Sequence, residues 1–444
     1  MPYQPYSITS RAKQIVKETA LRSSNIHADF LEIQNGSLEQ VGAFIEQQIA
    51  AASSGQKHLV EQPIFNKIEL FNTQQMNEFA TGSMARCFGP EFLVFEGRRY
   101  PRIPNGDLML MSRVLEINGK RGKFDSESSI VVEYDVPDKA WFFRDSGYNS
   151  LPYSVMMEIA LQPCGFLSAY LGTSLIIPNI DFYFRNLDGT GKVFADPDLR
   201  GKTIKCAATL RSTIISDDTI IQKFTFELTC RGEKFYQGSS IFGFFSPEAM
   251  AKQVGLDSGK PVLSRYEKGN NSGSSGEWIE LNSKLRPEAL SAGANRLPQG
   301  QMKFLDRVYL EINSKDGRGD YIYATRVNDP QAWFYTCHFH MDPVMPGSLG
   351  VEAILEALKV YTQKKGYGSR FKSPKFGLAV DRSMDWKYRG QILPTHQGMK
   401  LEIIITDVLE EKGRILVSGN ASLWADTVRI YEIKQATISI SEGD

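Results

Sequence analysis

The chain has little of what marks several common protein classes. Its 444 residues include five cysteines (Cys87, Cys164, Cys206, Cys230 and Cys337), none in a Cys-x-x-Cys pair. That argues against a zinc ribbon or a disulfide framework and for a reduced, cytoplasmic setting. Charge of one sign is not in excess either, because Lys plus Arg and Asp plus Glu both total 51. The basic surface that a nucleic acid partner favours is therefore not indicated. No run of about 18 apolar residues stands out as a membrane span, and Met1-Pro2-Tyr3 does not open a signal peptide. What remains, 42% hydrophobic and 23% charged, is the composition of a globular protein with room for two or three cores.

The chain repeats itself. Arg102-Ile-Pro-Asn-Gly106 recurs as Arg296-Leu-Pro-Gln-Gly300 and Arg113-Val114 as Arg307-Val308, each 194 residues on. Ala140-Trp-Phe142 returns as Ala332-Trp-Phe334, and Asp181-Phe-Tyr-Phe-Arg185 as Asp385-Trp-Lys-Tyr-Arg389. Ordered matches at nearly constant offset imply two copies of one fold. Lys268-Gly-Asn-Asn-Ser-Gly-Ser-Ser-Gly276 reads as a flexible linker between them. The expected organisation is a preface over 1–60, a first copy over 61–265, a linker over 266–277 and a second copy over 278–444. In the preface, Ser37-Leu-Glu-Gln40 reads as a capping box that would open an amphipathic helix through Ile49. It reads as a docking helix or, better, as a linker inherited from a larger polypeptide.

Each copy follows the same pattern. Strand-like segments such as Ser129-Ile-Val-Val-Glu-Tyr134 and Asp320-Tyr-Ile-Tyr-Ala-Thr325 come first. A long apolar helix follows, over 152–170 and 346–364, and strands such as 219–230 and 400–406 close the copy. In the second helix Leu349, Ala353, Glu356 and Val360 recur at helical spacing, while Val351, Ile354, Leu355 and Leu358 cover the other faces. A helix apolar nearly all round is buried. The expected fold class is α+β, a tandem hotdog in which each half wraps an antiparallel sheet around one central helix.

Residues 333–352 read Trp-Phe-Tyr-Thr-Cys-His-Phe-His-Met-Asp-Pro-Val-Met-Pro-Gly-Ser-Leu-Gly-Val-Glu. His338 is the side chain nearest to a neutral-pH base. Gly347 and Ser348 open a helix, where free backbone N–H groups can hold a developing oxyanion. The segment His338-Phe-x-x-Asp-Pro-Val-Met-Pro-Gly347, with Glu352 following the glycine, resembles the active-site motif of bacterial β-hydroxyacyl-ACP dehydratases. The tandem arrangement and Cys87-Phe-Gly-Pro-Glu-Phe92 resemble the dehydratase region of polyunsaturated fatty acid synthases. The likeness covers 65–440, closely at the motif and loosely elsewhere.

That resemblance implies dehydration of a 3-hydroxyacyl chain, in some relatives with trans-2 to cis-3 isomerisation. The chain would ride on the phosphopantetheine of an acyl carrier protein beside other synthase domains, with no metal or further cofactor. In the family, the histidine of one hotdog works with a carboxylate on the central helix of its partner. Copy one has Ser146 near the His338 position, but Glu158 at the carboxylate position and Gln162 one turn later. His338, Glu158 and Gln162 are thus expected to make one site, and Ser146 with Glu352 an inactive mirror. Pro163 is expected to kink the first helix. His338, His340 and Asp342 could suggest a metal, but the motif needs none. Acidic carrier proteins would favour a basic docking face, and Arg144, Arg185 and Arg389 do not single themselves out as one. The competing readings are a hotdog thioesterase and a non-catalytic hotdog module of a megasynthase.

Overall fold

The computed structural model describes residues 69–148, 150–269, 276–281, 296–312 and 319–443. The preface with its capping box, and residues 270–275 of the linker, lie outside them.

The first repeat contains strands β1 (Arg113–Asn118), β2 (Ser128–Asp135), β3 (Tyr183–Val193), β4 (Thr203–Ile215), β5 (Thr219–Cys230) and β6 (Glu233–Phe245). The second contains β7 (Glu277–Glu280), β8 (Arg307–Glu311), β9 (Tyr321–Val327), β10 (Pro374–Leu378), β11 (Ser383–Tyr388), β12 (Gly398–Glu411), β13 (Arg414–Ala425) and β14 (Val428–Glu442). The strands show why they form. Along β4, Ile204, Cys206, Ala208 and Leu210 are buried while the residues between them are not, the period of two that a one-faced strand requires. The two central helices, α1 (Tyr153–Tyr170) and α2 (Gly347–Lys364), each bury fifteen of their 18 residues, so each has protein on all sides.

All but β10 follow one antiparallel path, β1-β2-β4-β5-β6-β3-β11-β14-β13-β12-β9-β8-β7, and β10 pairs with β14 off that path. Read outward from the β3–β11 junction, the order is 3-6-5-4-2-1 on one side and 11-14-13-12-9-8 on the other. The two halves are therefore the same hotdog, written twice and joined edge to edge. At the junction residues 188–192 of β3 pair with 383–387 of β11, Ser383 opposite Lys192 and Lys387 opposite Asp188.

The connection leaving β6 crosses onto the second repeat. Arg429 pairs with both oxygens of Asp257, and the Tyr266 ring stacks on Tyr323 at 4.6 Å. Pro163, expected to kink the first helix, lies inside α1, which continues to Tyr170. One expectation needs correction: 153–176 is long and apolar enough to cross a membrane by length and composition, although no such run was expected, and 72% of its most apolar 18-residue window is buried inside the protein.

Candidate active site

Each repeat holds the other's site-bearing helix. Short helices Trp141–Asp145 and Trp333–Cys337 meet through their tryptophans, whose ring centroids are 5.0 Å apart. Asn105 of the first repeat donates its backbone N–H to the Cys337 carbonyl at 2.9 Å. Gln299, its counterpart, does the same to Asp145 at 2.8 Å. The duplicated Arg-x-Pro-x-Gly segment is thus a clasp exchanged between halves. The two helices end on Ser146 and His338 respectively, so these residues occupy equivalent C-caps.

His338 Nδ1 lies 2.9 Å from the Val344 carbonyl. A carbonyl can only accept, so Nδ1 carries the proton and Nε2 is left with a free lone pair. Burial pushes the imidazole pKa down to about 3, with Arg185 lowering it further and Val344 and Asp342 opposing. Burial thus favours the uncharged imidazole over the imidazolium. The loop is anchored by Asp342, whose two oxygens accept from both Arg185 Nη atoms at 2.7 Å. That bidentate pair joins the second repeat's histidine loop to β3 of the first. It also occupies the Asp342 carboxylate, and no His/Cys/Asp/Glu group suited to a metal occurs among the described residues. Arg144 and Arg389 are likewise ion-paired, with Asp145 and Asp188.

Glu158 faces His338 across the pair of repeats. Both line one partly open cavity, together with Gln162, Gly347 and Ser348. Burial raises the Glu158 pKa, favouring the protonated acid, while hydrogen bonds from Ser348 and Gln162 pull it partly back. Gln162 has no freedom of orientation. Its Oε1 accepts from Leu110 N at 3.0 Å and its Nε2 donates to Leu108 O at 2.8 Å, so the remaining Nε2 proton points at Glu158 Oε2, 3.1 Å away. This accounts for its polarity without invoking Pro163.

Ser348 does more than lend a backbone N–H. Its hydroxyl donates to Glu158 Oε1 at 2.6 Å. Helix α2 supplies no acceptor for the N–H groups of Gly347 and Ser348, its first two residues. Gly347 is required for another reason than backbone approach: a Cβ there would stand 2.7 Å from the Tyr388 ring. Tyr388 itself lines the cavity, and its buried hydroxyl has no hydrogen-bond partner among the described residues.

The mirror position is shut. Glu352 Oε1 is 3.2 Å from Lys359 Nζ, both side chains are fully buried, and Lys359 also donates to the Ser146 carbonyl at 3.1 Å. Ser154 N, the counterpart of the free Ser348 N–H, donates to Glu352 Oε2 at 3.4 Å. Sequence reading placed Ser146 opposite Glu352 and missed Lys359 between them. The Gln162 counterpart is Glu356, which accepts from Phe304 N at 2.7 Å but has no amide to offer Glu352.

Residues 297–434 match the model of the FabA-like domain. The matched span contains His338, Gly347 and Ser348 but not Glu158 or Gln162, so the match accounts for one wall of the cavity. The chain is 33% identical over 399 residues to a polyunsaturated fatty acid synthase polypeptide of Thraustochytrium sp. (strain ATCC 26185 / S-3), covering 83% of this chain and 26% of that protein. The chain thus spans about a quarter of the length of that relative. Among solved structures, a putative oleoyl thioesterase from Lactobacillus plantarum aligns over 72% of this chain and 99% of its own, with 10% identity and TM-score 0.40. The dehydratase domain of RzxB from Pseudomonas fluorescens aligns over 75% and 99%, with 9% identity and TM-score 0.38. At such identities neither neighbour bears on activity.

Proposed function

We propose that this chain dehydrates 3-hydroxyacyl thioesters to trans-2-enoyl thioesters, with His338 as base and Glu158 as acid in a single cross-repeat site. One observation carries the reading: a neutral imidazole with a free Nε2 and a carboxyl biased toward protonation line the same cavity from opposite repeats. Nε2 takes the C2 proton as the C2–C3 double bond forms. The C3–O bond breaks with the oxygen protonated by Glu158, and water leaves. As C2 gains negative charge, the thioester oxygen is held by the N–H groups of Gly347 and Ser348 at the positive end of α2. The proton on His338 then returns to Glu158 through solvent, closing the cycle.

The acyl chain is carried on the phosphopantetheine of an acyl carrier protein, and the chain works beside other domains of a fatty acid or polyketide-type synthase in the cytoplasm. Neither a metal nor a further cofactor takes part, because every proton transfer has a side chain to carry it. Whether the same histidine then moves the alkene to cis-3 depends on how the enoyl product sits.

The test is conversion of a 3-hydroxyacyl-pantetheine to its enoyl product, followed by absorbance. Wild type should turn over, and His338→Ala should lose at least about 1,000-fold in kcat with unchanged circular dichroism. A His338→Ala variant as active as wild type would sink the reading.

A further inference from the structure

Gly165 and Lys359 occupy the same position on the two central helices, each seven residues beyond its carboxylate, Glu158 or Glu352. Seven residues are close to two helical turns, so each lies on the face of its carboxylate, about 10 Å farther along the axis. In the second repeat, the Lys359 side chain runs back along that face. Its Nζ reaches Glu352 and sits 3.5 Å from the centroid of the Tyr148 ring, with no exposure to solvent. In the first repeat no side chain extends from this position, and the Phe184 ring stands beside it. Gly165 instead lines the cavity that holds Glu158, beside Leu161, Phe184 and Phe242.

Glycine is a poor choice for a helix interior, so its place in α1 needs another reason. A Cβ on Gly165 would come within 3.1 Å of the Phe184 ring. On the far side of Gly165 and Phe184 lies a second, smaller pocket, walled by Phe79, Tyr100, Ala169 and Phe244. Around Gly165 the cavity is thus bordered by Leu161, Phe184 and Phe242, and Gly165, Phe184 and Arg102 border both pockets.

We infer that Gly165 opens an acyl-tail channel along α1, so that the site takes linear 3-hydroxyacyl chains long enough to pass it, with Phe184 as the stop. Lys359 is the plug that removes this channel from the mirror repeat. The inference rests on the dehydratase reading and names the substrate class of the same site.

The experiment compares 3-hydroxybutyryl- and 3-hydroxydecanoyl-pantetheine on the full chain. Wild type should prefer the longer substrate. Gly165→Leu should lower kcat/KM for the decanoyl substrate by about 100-fold while leaving the butyryl substrate within about threefold, since the short chain ends before residue 165. Butyryl turnover also reports that the variant is folded. Equal partial losses on both substrates, or no loss on either, would overturn the channel. Should Gly165→Leu be inactive on both, Phe184→Ala decides: it merges the two pockets and should shift preference toward 3-hydroxytetradecanoyl-pantetheine, and an unchanged preference also overturns it. A wild type that dehydrates neither thioester counts against the dehydratase reading itself, a different failure.

Discussion

Ser348, at the start of the second repeat's central helix, donates a 2.6 Å hydrogen bond to Glu158 on the first repeat's central helix. One repeat thereby sets the protonation of the acid that the other contributes. Burial raises the Glu158 pKa, and the Ser348 bond lowers it because the hydroxyl stabilises the carboxylate.

The sign of a Ser348→Ala change follows. Glu158 is useful as an acid only when protonated, so activity is present below its pKa and falls as pH rises through it. Removing the Ser348 donor raises that pKa further, and the alkaline limb of the kcat/KM profile should move to higher pH. The acid limb belongs to His338, pushed down to about 3 by burial, and should stay in place. At the plateau a loss of about tenfold is expected, because Glu158 also loses an orienting bond. A pH–rate series on both proteins checks this, and an alkaline limb that moved downward would contradict it.

The plugged mirror site gives a prediction about stability rather than rate. Lys359→Met strands Glu352 as a buried carboxylate without its cation, which should cost about 3–5 kcal/mol in urea unfolding. Burial pushes the Lys359 pKa down and Glu352 pulls it back, so each member depends on the other. The double change Lys359→Met with Glu352→Gln should recover most of the loss, since replacing a whole buried pair is close to neutral. Dehydration per folded molecule should be unaltered in both variants. A double variant as unstable as the single one would show that the pair is not what matters there.

Much of this was open to inspection in the sequence, for identifiable reasons. Trp141-Phe142 and Trp333-Phe334 sit at a fixed offset because each pair opens the helix whose C-cap is Ser146 or His338. Aligning them locates the missing base of the first repeat. Glu158 and Gln162 were legible by a similar offset from Glu352 and Glu356. What the sequence hides is how the halves touch. The Ser348 bond and the Arg185–Asp342 pair depend on the β3–β11 junction, and no local pattern encodes it. Lys359 belongs to no motif that would mark it. Setting it against Gly165 at the same offset would have flagged it, because nothing else on that face changes so much in volume and charge.

Glu356 is where the duplication left a liability. It accepts from Phe304 N as Gln162 accepts from Leu110 N, but its Oε1 is buried with no hydrogen-bond partner among the described residues. Burial raises its pKa from 4.5 to about 7. The folded state therefore binds more protons than the unfolded state between those values. Stability is undiminished below about 4.5, falls as pH rises toward 7, and levels off above it. That difference is worth up to about 3 kcal/mol. Glu356→Gln removes the ionisation and supplies an amide beside Glu352, as Gln162 does beside Glu158. The variant should unfold at nearly the wild-type urea concentration at pH 5 and exceed wild type by up to about 3 kcal/mol at pH 8. An equal gain at both pH values would mean that packing, not the proton, separates the two proteins.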